Sequence, residues 1–190
     1  MSVTALRVGR TEIPGLFDLF AEPQSDERGY VVKTFEVRAY TEAGLSSRCA
    51  EELHSFSKRG VVRGMHFQTP PASQAKTVFC VHGTVFDVVL DLRMGSPSYR
   101  RVVTRELSAR AGHGLYVPEG CAHGFCVLSE QAVVAYRLTT PYAAGHDAGV
   151  LWNSIDAGWP ITDPVLSQRD RRFVSLADFE SPFTFETREV

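Results

Sequence analysis

The sequence predicts a mainly β protein, a sandwich or barrel built as one domain over residues 1–190, with a short, partly helical C-terminal extension. Three observations predict this fold class. Runs of β-branched and aromatic residues, separated by Gly, Pro and polar clusters, follow one another from residue 28 to residue 140. A chain of 190 residues has the length of one ordinary domain. No internal repeat or Pro-, Gly- or Ser-rich linker divides it. Many short strands at this spacing favour a sandwich or barrel over a βαβ arrangement.

The predicted strands follow one another in chain order. They cover residues 30–35, 61–68, 77–81, 84–92, 101–107, 115–117, 123–128 and 131–140. His82 and Gly83 join the third run to the fourth, and so short a link containing glycine predicts a β-hairpin. The fourth run alternates, which places Phe86, Val88, Leu90 and Leu92 on one face and Val85, Asp87, Val89 and Asp91 on the other.

Helix is predicted in only two places. One lies near Arg38–Ala43 and the other in the C-terminal region, around Leu166–Phe179. The tripeptide Gly158-Trp-Pro160 is expected to end the β region. The residues after it are expected to pack on the domain as an extension and not to form a second domain.

Composition and charge exclude several classes of function. The chain is 44% hydrophobic and 22% charged, which is typical of a globular protein. Its net charge of −2 provides no basic excess for a nucleic-acid backbone, and no apolar run approaches the roughly 18 residues of a membrane span. The first residues lack the apolar stretch of a signal peptide. A cytoplasmic location is therefore expected, with Cys49, Cys80, Cys121 and Cys126 as free thiols.

His66 is a candidate general base. In an extended strand it shares a face with Gly64 and Gln68, while Met65 and Phe67 point the other way. The glycine leaves room beside the imidazole, whose ordinary pKa suits proton transfer near neutral pH. The alternative is a structural histidine held by hydrogen bonds.

Tyr136 and Lys76 are two further candidates. Alternation places Tyr136 with Val134 and Leu138, so its hydroxyl is aimed into an apolar face. It is either a core tyrosine bonded to the backbone or a proton donor inside a pocket. Lys76 precedes an apolar strand, where it is either a solvated strand end or a group that stabilises an oxyanion.

The remaining polar clusters predict neither a metal nor a phosphate loop. Cys121, His123 and Cys126 are of ligand type, but they form no C-x-x-C pair and lack a second pair at zinc spacing. The arginines at 100, 101, 169, 171 and 172 are interpreted as solvated charge. The sequence contains no Gly-rich phosphate loop and no nucleophile elbow.

A set of short strings, in order from about residue 12 to residue 172, resembles the dTDP-4-dehydrorhamnose 3,5-epimerase family. The strings are Asp26-Glu-Arg-Gly-Tyr30, Ser57-Lys-Arg-Gly-Val-Val-Arg-Gly-Met-His-Phe-Gln68, Ala75-Lys-Thr-Val78, Gly83-Thr-Val-Phe-Asp-Val-Val-Leu-Asp-Leu-Arg93, Gly95-Ser-Pro97, Pro118-Glu-Gly-Cys-Ala-His-Gly-Phe125, Ala135-Tyr-Arg137 and Leu151-Trp-Asn153. Each string alone is weakly specific. Their order and spacing together make the resemblance highly specific.

The resemblance implies a cupin-type β jelly roll, a homodimer, and inversion of carbons next to the ketone of a nucleotide-diphospho-4-keto-6-deoxysugar without metal or organic cofactor. The implied catalytic residues are His66 as base, Asp170 as its partner, Tyr136 as acid and Lys76 near the ketone. The implied substrate-binding residues are Arg28, Lys33, Glu51, Leu53, Arg63, His123, Tyr142, Asp147 and Arg169. Arg28 is expected to serve the site of the other subunit, and Tyr142 to stack on the base.

Several of these positions depart from the family pattern. Lys33 replaces the usual glutamate, Glu51 a glutamine and Leu53 an asparagine. Asp147 stands where the family often has Glu, and Arg169 where it often has Lys. The stretch from His54 to Gly64 resembles the branch that makes deoxysugars for secondary metabolites, some of whose members invert one carbon.

Three other functions compete with an epimerase acting at C5 and C3. One is an epimerase acting at a single centre with the same residues. Another is a metal-dependent cupin oxygenase, which needs clustered His and carboxylate ligands where residues 63–68 offer one histidine. The third is a non-catalytic protein that binds sugar nucleotides, which would have no need to keep His66, Tyr136, Lys76 and Asp170 together.

Overall fold

The computed structural model describes residues 6–186, which contain thirteen β-strands and one α-helix. The strands are β1 (Arg7–Arg10), β2 (Phe17–Phe20), β3 (Gln24–Asp26), β4 (Gly29–Val31), β5 (Glu51–Lys58), β6 (Val62–Gln68), β7 (Lys76–His82), β8 (Thr84–Asp91), β9 (Val102–Ser108), β10 (His113–Val117), β11 (Cys121–Val127), β12 (Gln131–Leu138) and β13 (Asp147–Gly149). The helix α1 spans Val37–Glu42. No helix in this part of the chain has the length and apolar character needed to cross a membrane.

The strands form two antiparallel sheets and one small hairpin. The first sheet has the order β1-β2-β10-β7-β12-β5, and the second has the order β13-β6-β11-β8-β9. The strands β3 and β4 pair only with each other among the described residues. The mainly β prediction is therefore confirmed, and the sheets are those of a jelly roll.

Alternating side chains sort the core into layers. Val78, Val89 and Val134 come from both sheets and meet in one buried cluster between them. Met65 and Phe67 point to the opposite face of the second sheet, where Phe183 of the C-terminal extension covers them. The predicted alternation of β6 and β8 is thus confirmed, and it leaves His66 facing the space between the sheets.

The predicted hairpin at His82 and Gly83 is wrong. The strand before Gly83 pairs with β10 and β12, whereas the strand after it pairs with β9 and β11 of the other sheet. Gly83 has φ +77°, and a Cβ on it would lie 2.1 Å from the carbonyl oxygen of Gln131. A short glycine link permits a sharp turn, but it does not determine which sheet receives the next strand.

The predicted helix around Leu166–Phe179 is also wrong, since only a 3-10 helix at Asp170–Arg172 forms there. The backbone on either side of this 3-10 helix instead forms hydrogen bonds with other parts of the chain. Val165 donates to the carbonyl of Gly60, and the carbonyl of Val174 accepts from Leu151. These bonds replace the intrahelical ones. The helix predicted at Arg38–Ala43 is confirmed as α1. Of the strand predicted at 30–35, only Tyr30 and Val31 lie in a strand, β4.

Candidate active site

Five polar side chains project from the two sheets into the space between them. His66, Asp87 and His123 lie on β6, β8 and β11 of one sheet, and Lys76 and Tyr136 lie on β7 and β12 of the other. The same-face neighbours of the last four belong to the buried cluster between the sheets, because side chains two apart in a strand share a face, and His66 is the register partner of His123. The two sheets therefore face each other with titratable groups on both, and we refer to the space between these groups as the pocket.

His66 and Asp170 form an imidazole–carboxylate pair. The Nε2 atom of His66 lies 3.0 Å from Oδ1 of Asp170, which the 3-10 helix carries to the end of β6. The second carboxylate oxygen accepts a hydrogen bond from the backbone N–H of Gly64 at 3.2 Å. Asp170 is 2% exposed. A carboxylate so placed orients the ring and stabilises its charged form.

Burial and charge set the pKa values of this pair. Burial lowers the pKa of His66, although the hydrogen bond and the charge of Asp170 act in the opposite direction. Burial alone would raise the pKa of the Asp170 carboxyl, but its contacts with His66 and Gly64 hold that pKa below its usual range. At neutral pH the pair therefore contains a carboxylate and a neutral imidazole able to accept a proton.

Tyr136 lies on the wall opposite His66. Its hydroxyl is 3.5 Å from that of Ser55, and its ring meets the His123 ring edge to face, with centroids 6.2 Å apart. Burial raises the pKa of Tyr136, and the nearby charge of Arg63 opposes that rise. The phenol is therefore protonated at neutral pH and can act as a proton donor.

Lys76 is the cation of this pocket. Its side chain is buried, and its Nζ donates to the backbone carbonyl of His66 at 3.4 Å. Burial lowers the pKa of Lys76 to about 8, while the charges of Asp147 and Asp87 oppose the change. The ammonium form prevails at neutral pH, where a preorganised cation stabilises a developing oxyanion.

Asp87 is a site residue that the sequence alone did not single out. Its Oδ2 is 2.8 Å from Nε2 of His123, and the aspartate is 0% exposed. Its Oδ1 has no hydrogen-bond partner among the described residues. In the sequence, only the alternation of β8 indicated that Asp87 belongs to the site, because it places this carboxylate on the same inward face as Val85 and Val89.

A second group of predicted residues gathers near His66. Tyr142 donates from its backbone N–H to Glu51 at 3.0 Å and from its hydroxyl to Asp147 at 3.3 Å. Asp147 also pairs with Arg169. Arg169 in turn contacts both members of the His66–Asp170 pair. We refer to Glu51, Tyr142, Asp147 and Arg169 as the rim cluster.

The other predicted binding residues are distributed around the pocket. Leu53 is opposite Tyr136 in the register of β5 with β12, and it is exposed. Arg63 donates to the hydroxyl of Ser57 at 2.9 Å and to the carbonyl of Phe56. Its charge nevertheless reaches Tyr136.

Arg28 and Lys33 form ion pairs away from the His66–Asp170 pair. Arg28 binds Asp26 in the exposed β3–β4 hairpin, and Lys33 lies 3.5 Å from a carboxylate oxygen of Glu36. The structure of the chain therefore brings neither residue to the His66–Asp170 pair.

Two further observations concern metals and thiols. Over residues 6–186, no group of three or more His, Cys, Asp or Glu side chains is arranged to hold a metal ion. Cys49, Cys80, Cys121 and Cys126 are free thiols, and Cys49 alone of the four is exposed.

Comparison with known proteins identifies close relatives. Residues 10–178 match the family model described as dTDP-4-dehydrorhamnose 3,5-epimerase. The enzyme of that name from Shigella flexneri is 41% identical over 87% of this chain and 93% of its own length. The dTDP-4-dehydrorhamnose 3-epimerase of Streptomyces niveus is 38% identical over 91% of this chain and 85% of its own.

A solved structure shows the same fold. It is the dTDP-6-deoxy-D-glucose-3,5-epimerase of Legionella pneumophila in complex with dTDP-4-keto-L-rhamnose. It superposes with a TM-score of 0.88 at 31% identity and covers 96% of this chain and 100% of its own. This likeness confirms the cupin-type fold.

Proposed function

This chain belongs to the dTDP-4-dehydrorhamnose 3,5-epimerase family and is a carbohydrate epimerase, and we propose that it inverts C5 and C3 of a nucleotide-diphospho-4-keto-6-deoxysugar with His66 as base and Tyr136 as acid. One observation carries the proposal: the His66–Asp170 pair and Tyr136 belong to the two facing sheets, on opposite sides of the space between them. Inversion requires this arrangement, since one face of the carbon loses a proton and the other gains one.

The first step is removal of a proton next to the ketone. Because Asp170 occupies Nε2 of His66, Nδ1 is the nitrogen left to take the proton. The electrons of the broken C–H bond move to the ketone oxygen and form an enolate. The Lys76 ammonium supplies positive charge for that oxygen. Asp170 stabilises the imidazolium that results.

The second step returns a proton to the opposite face of the same carbon. Tyr136 donates its phenolic proton, the enolate collapses to the ketone, and the carbon is inverted. Solvent then reprotonates the phenolate and removes the proton from His66, so the enzyme returns to its starting state with no net redox change. The same two groups invert C3 when the sugar presents that carbon to them.

The substrate class rests on the family and on the cations of the site. The charge of Arg63 reaches Tyr136, and the ring of His123, which is paired with Asp87, lies beside the Tyr136 ring. Arginine suits a diphosphate because its guanidinium makes paired hydrogen bonds to phosphate oxygens. Tyr142 is 59% exposed and free to stack on a nucleotide base.

A second candidate is an epimerase that inverts a single carbon of the same kind of substrate. The likeness to the 3-epimerase of Streptomyces niveus favours it. Three predicted nucleotide-binding positions differ from the family pattern in charge or in an amide group: Lys33, Glu51 and Leu53. Such changes alter the pose of the sugar and hence which carbon His66 can reach.

We further propose a homodimer in which Arg28 reaches the partner's site. The β3–β4 hairpin carries Arg28 together with the exposed Tyr30 and Val31. Within the described residues β5 pairs only with β12, and its Leu53 and Phe56 are also exposed. An edge strand and an exposed hairpin offer free backbone groups for pairing between subunits.

Complementation tests this arrangement. Sedimentation should report twice the monomer mass. Arg28→Ala and His66→Ala dimers should each be impaired, and mixed dimers should regain activity, because one site then holds both intact residues. A monomer, or mixed dimers with no gain, would show that Arg28 acts within its own subunit or not at all.

We propose a cytoplasmic location, which the four free thiols favour, since reducing compartments keep cysteines unpaired.

The activity itself is tested by isotope exchange. The protein is incubated in deuterated water with several nucleotide-linked 4-keto-6-deoxyhexoses, and NMR records deuterium at C3 and C5. His66→Ala should lose exchange by roughly 10²–10⁴-fold, the usual contribution of a general base. The exposed His82 offers a matched control, and His82→Ala should exchange normally. Normal exchange by His66→Ala would remove His66 from the reaction.

A further inference from the structure

Two residues compete for one nitrogen of the proposed base. Nε2 of His66 lies 3.0 Å from Oδ1 of Asp170 and 2.8 Å from Nη2 of Arg169. A carboxylate only accepts hydrogen bonds, whereas a guanidinium only donates them and stays charged. Nε2 therefore needs a proton to bond to Asp170 and a free lone pair to bond to Arg169. The two hydrogen bonds are alternatives.

Arg169 is held beside His66 by several contacts, although its side chain is 48% exposed. Its Nη1 binds Oδ2 of Asp147, and its Nε donates to Oδ1 of Asp170 at 3.2 Å. The ring of Phe173 lies beneath it at 5.7 Å. The Tyr142 hydroxyl holds the same oxygen of Asp147. These contacts fix the guanidinium within hydrogen-bond distance of the imidazole.

We propose that Arg169, anchored by Asp147, is a positioning residue that keeps Nε2 of His66 unprotonated in the ligand-free protein. The inference rests on the proposed function only in taking His66 as the base. The neutral ring then carries its proton on Nδ1, the nitrogen that the reaction needs free. His66 becomes an active base when Arg169 leaves Nε2, solvent removes the proton from Nδ1 and delivers one to Nε2, and the Nε2–H then donates a hydrogen bond to Asp170.

The charged and titratable neighbours of His66 come from every element that packs around it. They are Arg169 and Asp170 at the start of the 3-10 helix, Asp147 from β13, Lys76 from β7, and His123, which is its register partner on β11. Arg169 and Lys76 lower the pKa of His66, whereas Asp170 raises it. Replacing Arg169 by a neutral residue should therefore raise that pKa.

The tautomer of His66 can be observed directly. The full chain is labelled with ¹⁵N-histidine, and long-range ¹H–¹⁵N spectra at a pH where the ring is neutral show which nitrogen carries the proton. The chain has six histidines, and His66→Asn identifies the signals of His66. We expect the proton on Nδ1 in the unmodified protein and on Nε2 in Arg169→Gln. Arg169→Lys keeps a cationic donor and should keep the proton on Nδ1.

Arg171→Gln is the matched control, because it removes the same charge from an exposed arginine two positions further along the chain, in the 3-10 helix that Arg169 precedes. It should leave the tautomer unchanged. A proton already on Nε2 in the unmodified protein, or no change in Arg169→Gln, would overturn the proposal.

A kinetic measurement provides a second readout. The acidic limb of kcat/KM reports the free enzyme, so it should move to higher pH in Arg169→Gln and stay in place in Arg171→Gln. A purely structural role for Arg169 would lower activity without moving this limb. The spectra need no turnover. If the expected tautomers appear but exchange at C3 and C5 is absent from the unmodified protein, the proposed function has failed and the role of Arg169 stands.

Discussion

Replacing Asp170 by asparagine should slow proton removal while leaving the pocket in place. The substitution keeps the size of the side chain but removes the charge that faces His66. A hydrogen bond to a charged group contributes about 1.5–3 kcal/mol. Since 1.36 kcal/mol corresponds to a tenfold change in rate, the loss should be roughly 10- to 150-fold.

The assay is deuterium uptake at C5 in deuterated water. Asp170 also raises the pKa of His66, so its loss should move the acidic limb of kcat/KM to lower pH, opposite to the shift expected for Arg169→Gln. Asp163→Asn, at an exposed aspartate, is the matched control and should behave like the unmodified protein. An Asp170→Asn protein that exchanges at the normal rate would refute the role of the carboxylate.

The same variant probes stability. The pKa of Asp170 is lowered in the folded protein, so the stabilisation it provides is complete above its unfolded value of about 3.9 and is lost as the pH falls below it. In urea unfolding, the stability difference between the two proteins should therefore be full at pH 7 and shrink below about pH 4. A difference independent of pH would assign the effect to packing.

Three other substitutions test separate parts of the site. Lys76→Met should lower kcat by roughly 10²–10³-fold, and activity of the unmodified protein should fall above about pH 8 as Lys76 loses its proton; a variant of normal rate would contradict this role. Asp87→Asn should raise KM by roughly 10-fold or more because His123 loses its carboxylate partner, and unchanged KM would argue against it. Gly64→Ala should destabilise the fold in thermal unfolding, because its Cβ would lie 2.5 Å from Cα of Gly124 and φ is +139°; an unchanged midpoint would refute the close approach.

Alternation in single strands accounts for most of what could be predicted. For Lys76 the sequence left open a solvated strand end and a group that stabilises an oxyanion. The period of two put His66 on the face of Gly64 and Gln68 and Tyr136 on an apolar face, because side chains two apart share a side of the sheet. It placed Asp87 there too, but one strand does not reveal that His123 of another strand would be its partner.

The errors arose where distant backbone determines local structure. The link at Gly83 reads locally as a hairpin, yet the partners of each strand lie in different sheets. A helix was predicted at 166–179. Instead, the backbone of this region and of its flank forms hydrogen bonds with Gly60 and Leu151, which are distant in the chain.

The pairing of His66 with Asp170 spans 104 positions in the chain. No local pattern predicts such a contact, and it was expected only from the family resemblance. The sequence also could not predict that Arg169 competes with Asp170 for Nε2 of His66, because the position of Arg169 depends on its contact with Asp147 in three dimensions. The catalytic and binding roles of these residues stay predictions until the variants are measured.

The most direct test of the two-wall mechanism is Tyr136→Phe in deuterated water with a nucleotide-linked 4-keto-6-deoxyhexose. The change removes the hydroxyl and keeps the ring packed against the core between the sheets. His66 can then still remove the C5 proton and return a deuteron to the same face. The mechanism predicts that exchange at C5 with retained configuration outlasts inversion. Inversion of C5 at the unmodified rate would show that a group other than Tyr136 delivers the proton.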